Sequence, residues 1–231
     1  MMNRIFVPLV ALVAPLVLGS CNKLLDEQPD ERVLITSADK VRRILAFAYP
    51  VSSYAYACEM SSDNVDDYGT DNPNFTKFTY DLVYWNDGPE YNASDGMRAL
   101  WRSYYLAIQH ANTALRAIEN LGGGSELSAA KGEALVARAY AHFVLVNLFG
   151  KHYNSTTSSK DLGVPYMTAP EETLDPKYTR NSVAEVYAAI DKDLTEGLPL
   201  ISDSFYSEKA YHFNKAAAGF YLFYEQWDKA I

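Results

Sequence analysis

The sequence predicts an all-α, mostly helical fold in which helical hairpins stack around one buried helix, with long loops inserted between them. Three observations predict it. Residues 128–150 read SAAKGEALVARAYAHFVLVNLFG, with Leu135, Ala139, Phe143 and Val146 on one side and Ala130, Ala134, Ala137, Ala141 and Leu148 on the next. Apolar residues cover more than half the circumference, the pattern of a helix packed on several sides, and the alanine row lets a neighbour approach closely. Lys131, Glu133 and Arg138 form its polar remainder, and Gly150 stands where a helix stop belongs. Residues 94–121 carry Met97, Trp101, Tyr104, Ile108, Ala111, Leu115 and Ile118 at alternating steps of four and three, the stripe of an amphipathic helix. Only Gly122, Gly123 and Gly124 separate the two stretches, so the helices must fold back on each other as a hairpin.

Taken in order, residues 1–20 read as a targeting segment. Arg4 gives a positive start, and the apolar run over residues 5–18 is too short to span a bilayer comfortably. It ends in Leu18, Gly19, Ser20 and Cys21, a lipobox: the small residues fit a signal-peptidase cleft and the thiol receives diacylglycerol. Cys21 is then the lipidated mature N-terminus, held at the membrane by several acyl chains. An ordinary secretory signal or a short uncleaved anchor are the alternatives. Residues 21–36 form a tether, and residues 37–231 a helical domain incomplete at its C-terminal end.

Thr36, Ser37, Ala38 and Asp39 read as a capping box, opening a short helix through Val41, Ile44, Leu45 and Ala48 that Pro50 ends. Residues 51–94 lose periodicity and gain Asn, Asp, Gly and Tyr, the signature of a long ordered loop. Residues 151–180 are loop again. Ser182 to Glu185 is a second capping box, opening a helix with Val186, Tyr187, Ile190, Leu194 and Leu198 inward and Pro199 as its stop. Asn214 is expected to cap a fourth long helix carrying Ala217, Phe220, Tyr221 and Tyr224, and residues 226–231 begin a partner helix. Two helix pairs of tetratricopeptide length suggest a short solenoid, an architecture that presents loops and grooves to ligands.

Composition narrows the functions. Apolar content of 48% supports a core. A net charge of -9 argues against nucleic acid, whose phosphates demand Lys and Arg. With Cys21 lipidated, Cys58 has no partner, which leaves no disulfide framework and no cysteine metal site; Cys58 is expected to be a buried, inert thiol. Asp63, Asp66, Asp67 and Asp71 lack the spacing of an EF-hand loop. His110, His142, His152 and His212 form no ligand pair, and His142 is expected to pack on the central helix. Glu171 and Glu172 are adjacent carboxylates, but hydrolysis of a glycosidic bond needs two across a cleft. The sequence therefore assigns no catalytic residue, metal or cofactor.

The 18 tyrosines are the compositional excess. Many are expected to pack helix against helix. The best local candidate for a binding platform is Tyr84, Trp85, Asn86 and Asp87, with Tyr91 nearby: rings offer an apolar face of about a sugar's size, and the amides bond hydroxyls at its edge. The competing role for Trp85 is to anchor the long loop onto the helices.

In combination, these stretches resemble the SusD/RagB family of outer-membrane lipoproteins. The resemblance rests on the opening from Cys21, Asn22, Lys23, Leu24, Leu25 and Asp26 to Pro29, and on Ser62, Asp63 and Asn64. It continues in Trp101 to Asn112 and, most recognisably, in Glu133, Ala134, Arg138, Ala139, Tyr140, Phe143, Phe149 and Gly150. Gly163, Val164, Pro165 and Tyr166 extend it, followed by the 182–194 helix and the unit over 213–231. It implies a SusD-like N-terminal region, shorter than whole family members. It also implies nutrient capture at the cell surface: a lid on a TonB-dependent, SusC-like barrel of the outer membrane, binding an oligosaccharide or peptide without catalysis. A surface glycoside hydrolase and a structural repeat adaptor for a protein partner are the rival functions.

Overall fold

The computed structural model describes residues 35–66, 68–71, 73, 75–87, 94, 96–173, 176–201 and 210–231. Cys21, the signal segment, the tether through residue 34 and Tyr91 lie outside the described residues. The described residues hold helices and no strand; the one pairing of β type is an isolated antiparallel bridge between Leu162 and Ser182. The helices are α1 (Ala38–Leu45), α2 (Ala55–Met60), α3 (Lys77–Val83), α4 (Met97–Asn120), α5 (Ser125–Phe149), α6 (Val183–Gly197), α7 (Ala210–Phe223) and α8 (Trp227–Ala230).

Helix α5 is the centre, as its pattern predicts. Every residue from Gly132 to Ala139 is buried, more than two full turns with no solvent-facing side. Helices α1, α4, α6 and α7 all pack on it. The expected polar remainder is corrected in part: Lys131 is exposed, but Glu133 and Arg138 are buried, each held by a partner. Glu133 accepts from the Tyr49 hydroxyl at 2.5 Å, and Arg138 joins the network described below.

Against α6 the closest approach is glycine on glycine. A Cβ at Gly132 would lie 2.7 Å from the Gly197 carbonyl oxygen, and one at Gly197 would lie 3.0 Å from the Gly132 carbonyl oxygen. On its other sides α5 carries Phe143 edge-on to Phe220 at 5.7 Å, and Phe220 continues to Tyr187 at 5.4 Å and Tyr224 at 5.3 Å. Part of the tyrosine excess is thus interior packing.

Local chemistry explains the helix ends and corrects several boundaries. Ser182 and Glu185 form the predicted capping box in full. At α1 the cap is Ser37 rather than Thr36, its hydroxyl accepting from the Lys40 amide, and the helix ends at Leu45, ahead of Pro50. Helix α7 begins at Ala210, so Asn214 lies inside it rather than capping it. Trp101 sits at the edge of the α4 stripe, 37% exposed, because Leu100 and Tyr104 point inward instead. Residues 51–94 are not all loop. Helices α2 and α3 lie there, joined by a 2.7 Å hydrogen bond between Tyr56 Oη and Thr79 Oγ1. Cys58 is exposed as a residue rather than buried, while partial desolvation holds its thiol pKa above the usual value. Among the described residues no helix is long and apolar enough to cross a membrane.

Candidate functional site

Helix α3 is built like a small amphipathic wedge. Thr76 caps it, its hydroxyl accepting from the Thr79 amide at 3.1 Å. Phe78, Asp81 and Leu82 face inward and are buried. Tyr80 and Tyr84 fall on the opposite side, one turn apart, with ring centroids 4.6 Å from each other. Phe75, just before the cap, adds a third ring 6.0 Å from Tyr80. All three are exposed.

The helix ends in a Schellman motif. The Trp85 amide donates to the Leu82 carbonyl at 3.3 Å, and the Asn86 amide donates to the Asp81 carbonyl at 2.9 Å. The first of these two residues must turn left-handed, which is why its position usually holds glycine. Helix α4 ends in the same motif with Gly122 there, at φ +82. Helix α3 has Trp85, at φ +54. A bulky residue in that region costs on the order of 1–2 kcal/mol, and nothing is recovered by burying the ring, which is 76% exposed. The anchoring role considered for Trp85 is therefore not what the side chain does: it stands in solvent, one residue beyond Tyr84 in the chain.

Asn86 does not float free. Its Nδ2 donates to Asp81 Oδ1 at 3.2 Å, and the second Asp81 oxygen accepts from Lys77. The lysine hydrogen bond is the main reason the Asp81 carboxyl lies below its usual pKa. Tyr84 is thus joined to Tyr80 and Phe75 through ring contacts and Asn86 to Asp81 through a hydrogen bond, with Trp85 between Tyr84 and Asn86 in the chain. Sequence reasoning missed Phe75, Tyr80 and Asp81 because α3 was hidden in a segment read as loop. The signal was present: Thr76 three residues before Thr79 is a cap, and Lys77 with Asp81, like Tyr80 with Tyr84, has helical i, i+4 spacing.

A second constellation lies on α4, α5 and α6. Arg138 forks onto Asp193, with Nε to Oδ2 and Nη2 to Oδ1 both at 2.7 Å, and its Nη1 donates to Asn112 Oδ1 at 2.9 Å. Asn112 in turn donates to the carbonyls of Met167 and Ala169. The Tyr166 hydroxyl donates to Asp193 Oδ2 at 2.6 Å, and its ring stacks on His142 at 3.9 Å. The Met167 amide donates to His142 Nε2 at 3.0 Å, so that nitrogen is the acceptor and Nδ1 carries the proton toward the Arg138 carbonyl. Full burial pushes the imidazole pKa down to about 3. Every group is bonded to another, so the constellation is a clasp that sews the 165–169 segment onto the helices. Its Asn112 and the segment it holds reach a groove of about 490 Å³, lined also by Trp101, Tyr105, Leu106, Pro165, Met167 and Tyr178.

The adjacent carboxylates are engaged elsewhere. Glu171 Oε1 accepts from the amides of Glu172 and Thr173, and Glu172 pairs with Arg116.

A family model described as "Starch-binding associating with outer membrane", of SusD-like type, matches residues 23–224. Similar solved structures have the same fold. A SusD superfamily protein from Bacteroides thetaiotaomicron VPI-5482 is 21% identical, with a TM-score of 0.61 over 86% of this chain and 44% of that one. One from Bacteroides fragilis is 22% identical, with a TM-score of 0.63 over 85% and 48%. A SusD-like carbohydrate binding protein from Bacteroides vulgatus ATCC 8482 is 20% identical, with a TM-score of 0.58 over 84% and 43%. The chain spans less than half the length of each. Among curated proteins, none matches it.

Proposed function

The chain belongs to the SusD-like family, and from that premise we propose that it captures glycans at the cell surface through the aromatic ladder of α3. Cys21 carries the lipid that holds it on the outer membrane, and its partner is a TonB-dependent, SusC-like barrel that receives the captured oligosaccharide. The observation that carries the reading is Trp85: a large ring held out in solvent on a backbone conformation that disfavours it. Glu225 shares the left-handed turn and the exposure, but Trp85 brings a ring to it, directly after Tyr84, whose own ring meets Tyr80, and exposed rings offer pyranose faces a surface to stack on. Asn86 and Asp87, both exposed at the ladder's end, stand where they would bond sugar hydroxyls.

Binding without catalysis fits the carboxylates nearby. Asp81 is buried and already bonded to Lys77 and Asn86. Glu171 and Glu172 are committed to their own turn and to Arg116, which weighs against the hydrolase alternative. The experiment is calorimetric titration with maltoheptaose and affinity electrophoresis in soluble starch. The chain should bind, and Trp85→Ala or Tyr84→Ala should each weaken binding roughly tenfold, the worth of one stacked ring. Starch binding that survives both substitutions unchanged removes the ladder from the site, and retention of a peptide instead of either glycan redirects the ligand class.

A further inference from the structure

If the ladder is the glycan platform, the direction in which Trp85 stands depends on what fixes its left-handed turn, because the ring itself is exposed. We propose that Asp81 is the positioning residue of the platform: its buried carboxylate, bridged to Lys77 on one oxygen and Asn86 on the other, locks the turn that presents Trp85. This inference rests on the glycan reading for its purpose but not for its geometry.

Two bonds join residue 81 to residue 86, and both span the strained position. The backbone bond is the long-range member of the Schellman pair, from the Asn86 amide to the Asp81 carbonyl at 2.9 Å. The side-chain bond, Asn86 Nδ2 to Asp81 Oδ1 at 3.2 Å, closes a second ring around the same turn. Among the described hydrogen bonds, the α4 end with Gly122 and the α7 end with Glu225, left-handed at φ +60, are each held by the backbone pair alone. Here the position is occupied by tryptophan, and the extra clamp is present.

Asp81 is also the only charged residue on the buried side of α3, 3% exposed between Phe78 and Leu82. A carboxylate taken out of water must recover its solvation from specific partners. Lys77 supplies the opposite charge from one helical turn earlier, and Asn86 supplies a donor fixed in direction. The same chemistry that makes the burial tolerable therefore dictates where Asn86 and Trp85 stand. A carboxylate whose role were only to solvate α3 could face water, as the exposed side of this seven-residue helix allows.

The test separates positioning from folding and from the glycan reading. The three tryptophans are Trp85, Trp101 and Trp227, so Trp101→Phe with Trp227→Phe leaves Trp85 as the sole reporter. In that background Asp81→Leu should lower the fluorescence anisotropy of Trp85 while the far-ultraviolet dichroism of the helices is kept. It should also weaken maltoheptaose binding roughly tenfold, the effect of one lost charge-assisted hydrogen bond. Asp81→Asn retains an oxygen for the Asn86 amide and should restore both readouts. When Trp85 is already alanine, Asp81→Leu should change maltoheptaose binding no further, because its effect runs through the ring. Unchanged anisotropy in Asp81→Leu overturns the proposal even if the glycan still binds. Wild-type binding by Trp85→Ala instead sinks the platform, and anisotropy then decides the clamp by itself.

Discussion

Arg138 sits mid-helix with no exposed side around it, yet every direction of its guanidinium is answered. Such a pair adds little net stability over a well-packed apolar one, but removing a single partner strands a buried charge. Arg138→Met should therefore cost about 3–5 kcal/mol in urea unfolding, and adding Asp193→Leu should recover much of it; equal loss in the single and double variants would refute the pairing as the cause. His142 makes a pH prediction. Its folded pKa lies near 3 because burial penalises the charged ring, while an unfolded histidine titrates near 6.5. Between those values the unfolded chain binds the extra proton, so this contribution is intact above about pH 6.5 and shrinks as pH falls toward 3. Stability should drop by about 1 kcal/mol per pH unit between pH 6 and pH 4. His142→Asn, which keeps an acceptor for the Met167 amide, should flatten that slope when unfolding is measured at each pH.

At the scale of elements, two glycine positions decide how α5 and α6 meet, and a tryptophan in a turn that favours glycine decides how α3 ends. Gly132 on α5 touches the Gly197 backbone of α6, and a methyl there would overlap a carbonyl oxygen at 2.7 Å. Alanine is the better helix former by up to about 1 kcal/mol, but this contact cannot yield without spreading the helices. Gly132→Ala should thus destabilise by about 1–3 kcal/mol in thermal or urea melts; a stabilised variant would show that the crossing is looser than described. Trp85 is the reverse case. Trp85→Gly relieves a left-handed strain and should raise stability by about 1 kcal/mol, while abolishing the stacking proposed for the ladder. A variant that melts lower, or that still binds maltoheptaose at full strength, contradicts one half of that pairing.

For the whole molecule, the proposed arrangement is a helical stack on a lipid tether. Cys21→Ser removes the acylated thiol, so the chain should leave the envelope pellet and appear in the soluble fraction on centrifugation. If it sediments as before, the lipid is not what holds it. Much of the architecture was legible beforehand, since the 3.6-residue apolar period over α4, α5 and α6 reports burial directly, and caps such as Ser182 with Glu185 are local. Less was legible where burial contradicts residue type: Glu133 and Arg138 read as surface because their partners Tyr49, Asn112 and Asp193 are distant in sequence. Helix α3 escaped notice because seven residues are too few for a periodic signal amid turn-forming neighbours.

By itself, the order of residues determined the helical class, the central helix, the hairpin at the triple glycine, the family resemblance and the aromatic run that includes Tyr84 and Trp85. Each is a property of spacing within a few turns of chain. Only the tertiary structure decided that Trp85 faces water instead of the core, that Phe75, Tyr80 and Tyr84 form a run of exposed rings, and that Asp81 is buried on the other side of α3. Those facts depend on which side of a short helix meets the rest of the protein, and that choice is made by packing across long sequence separations.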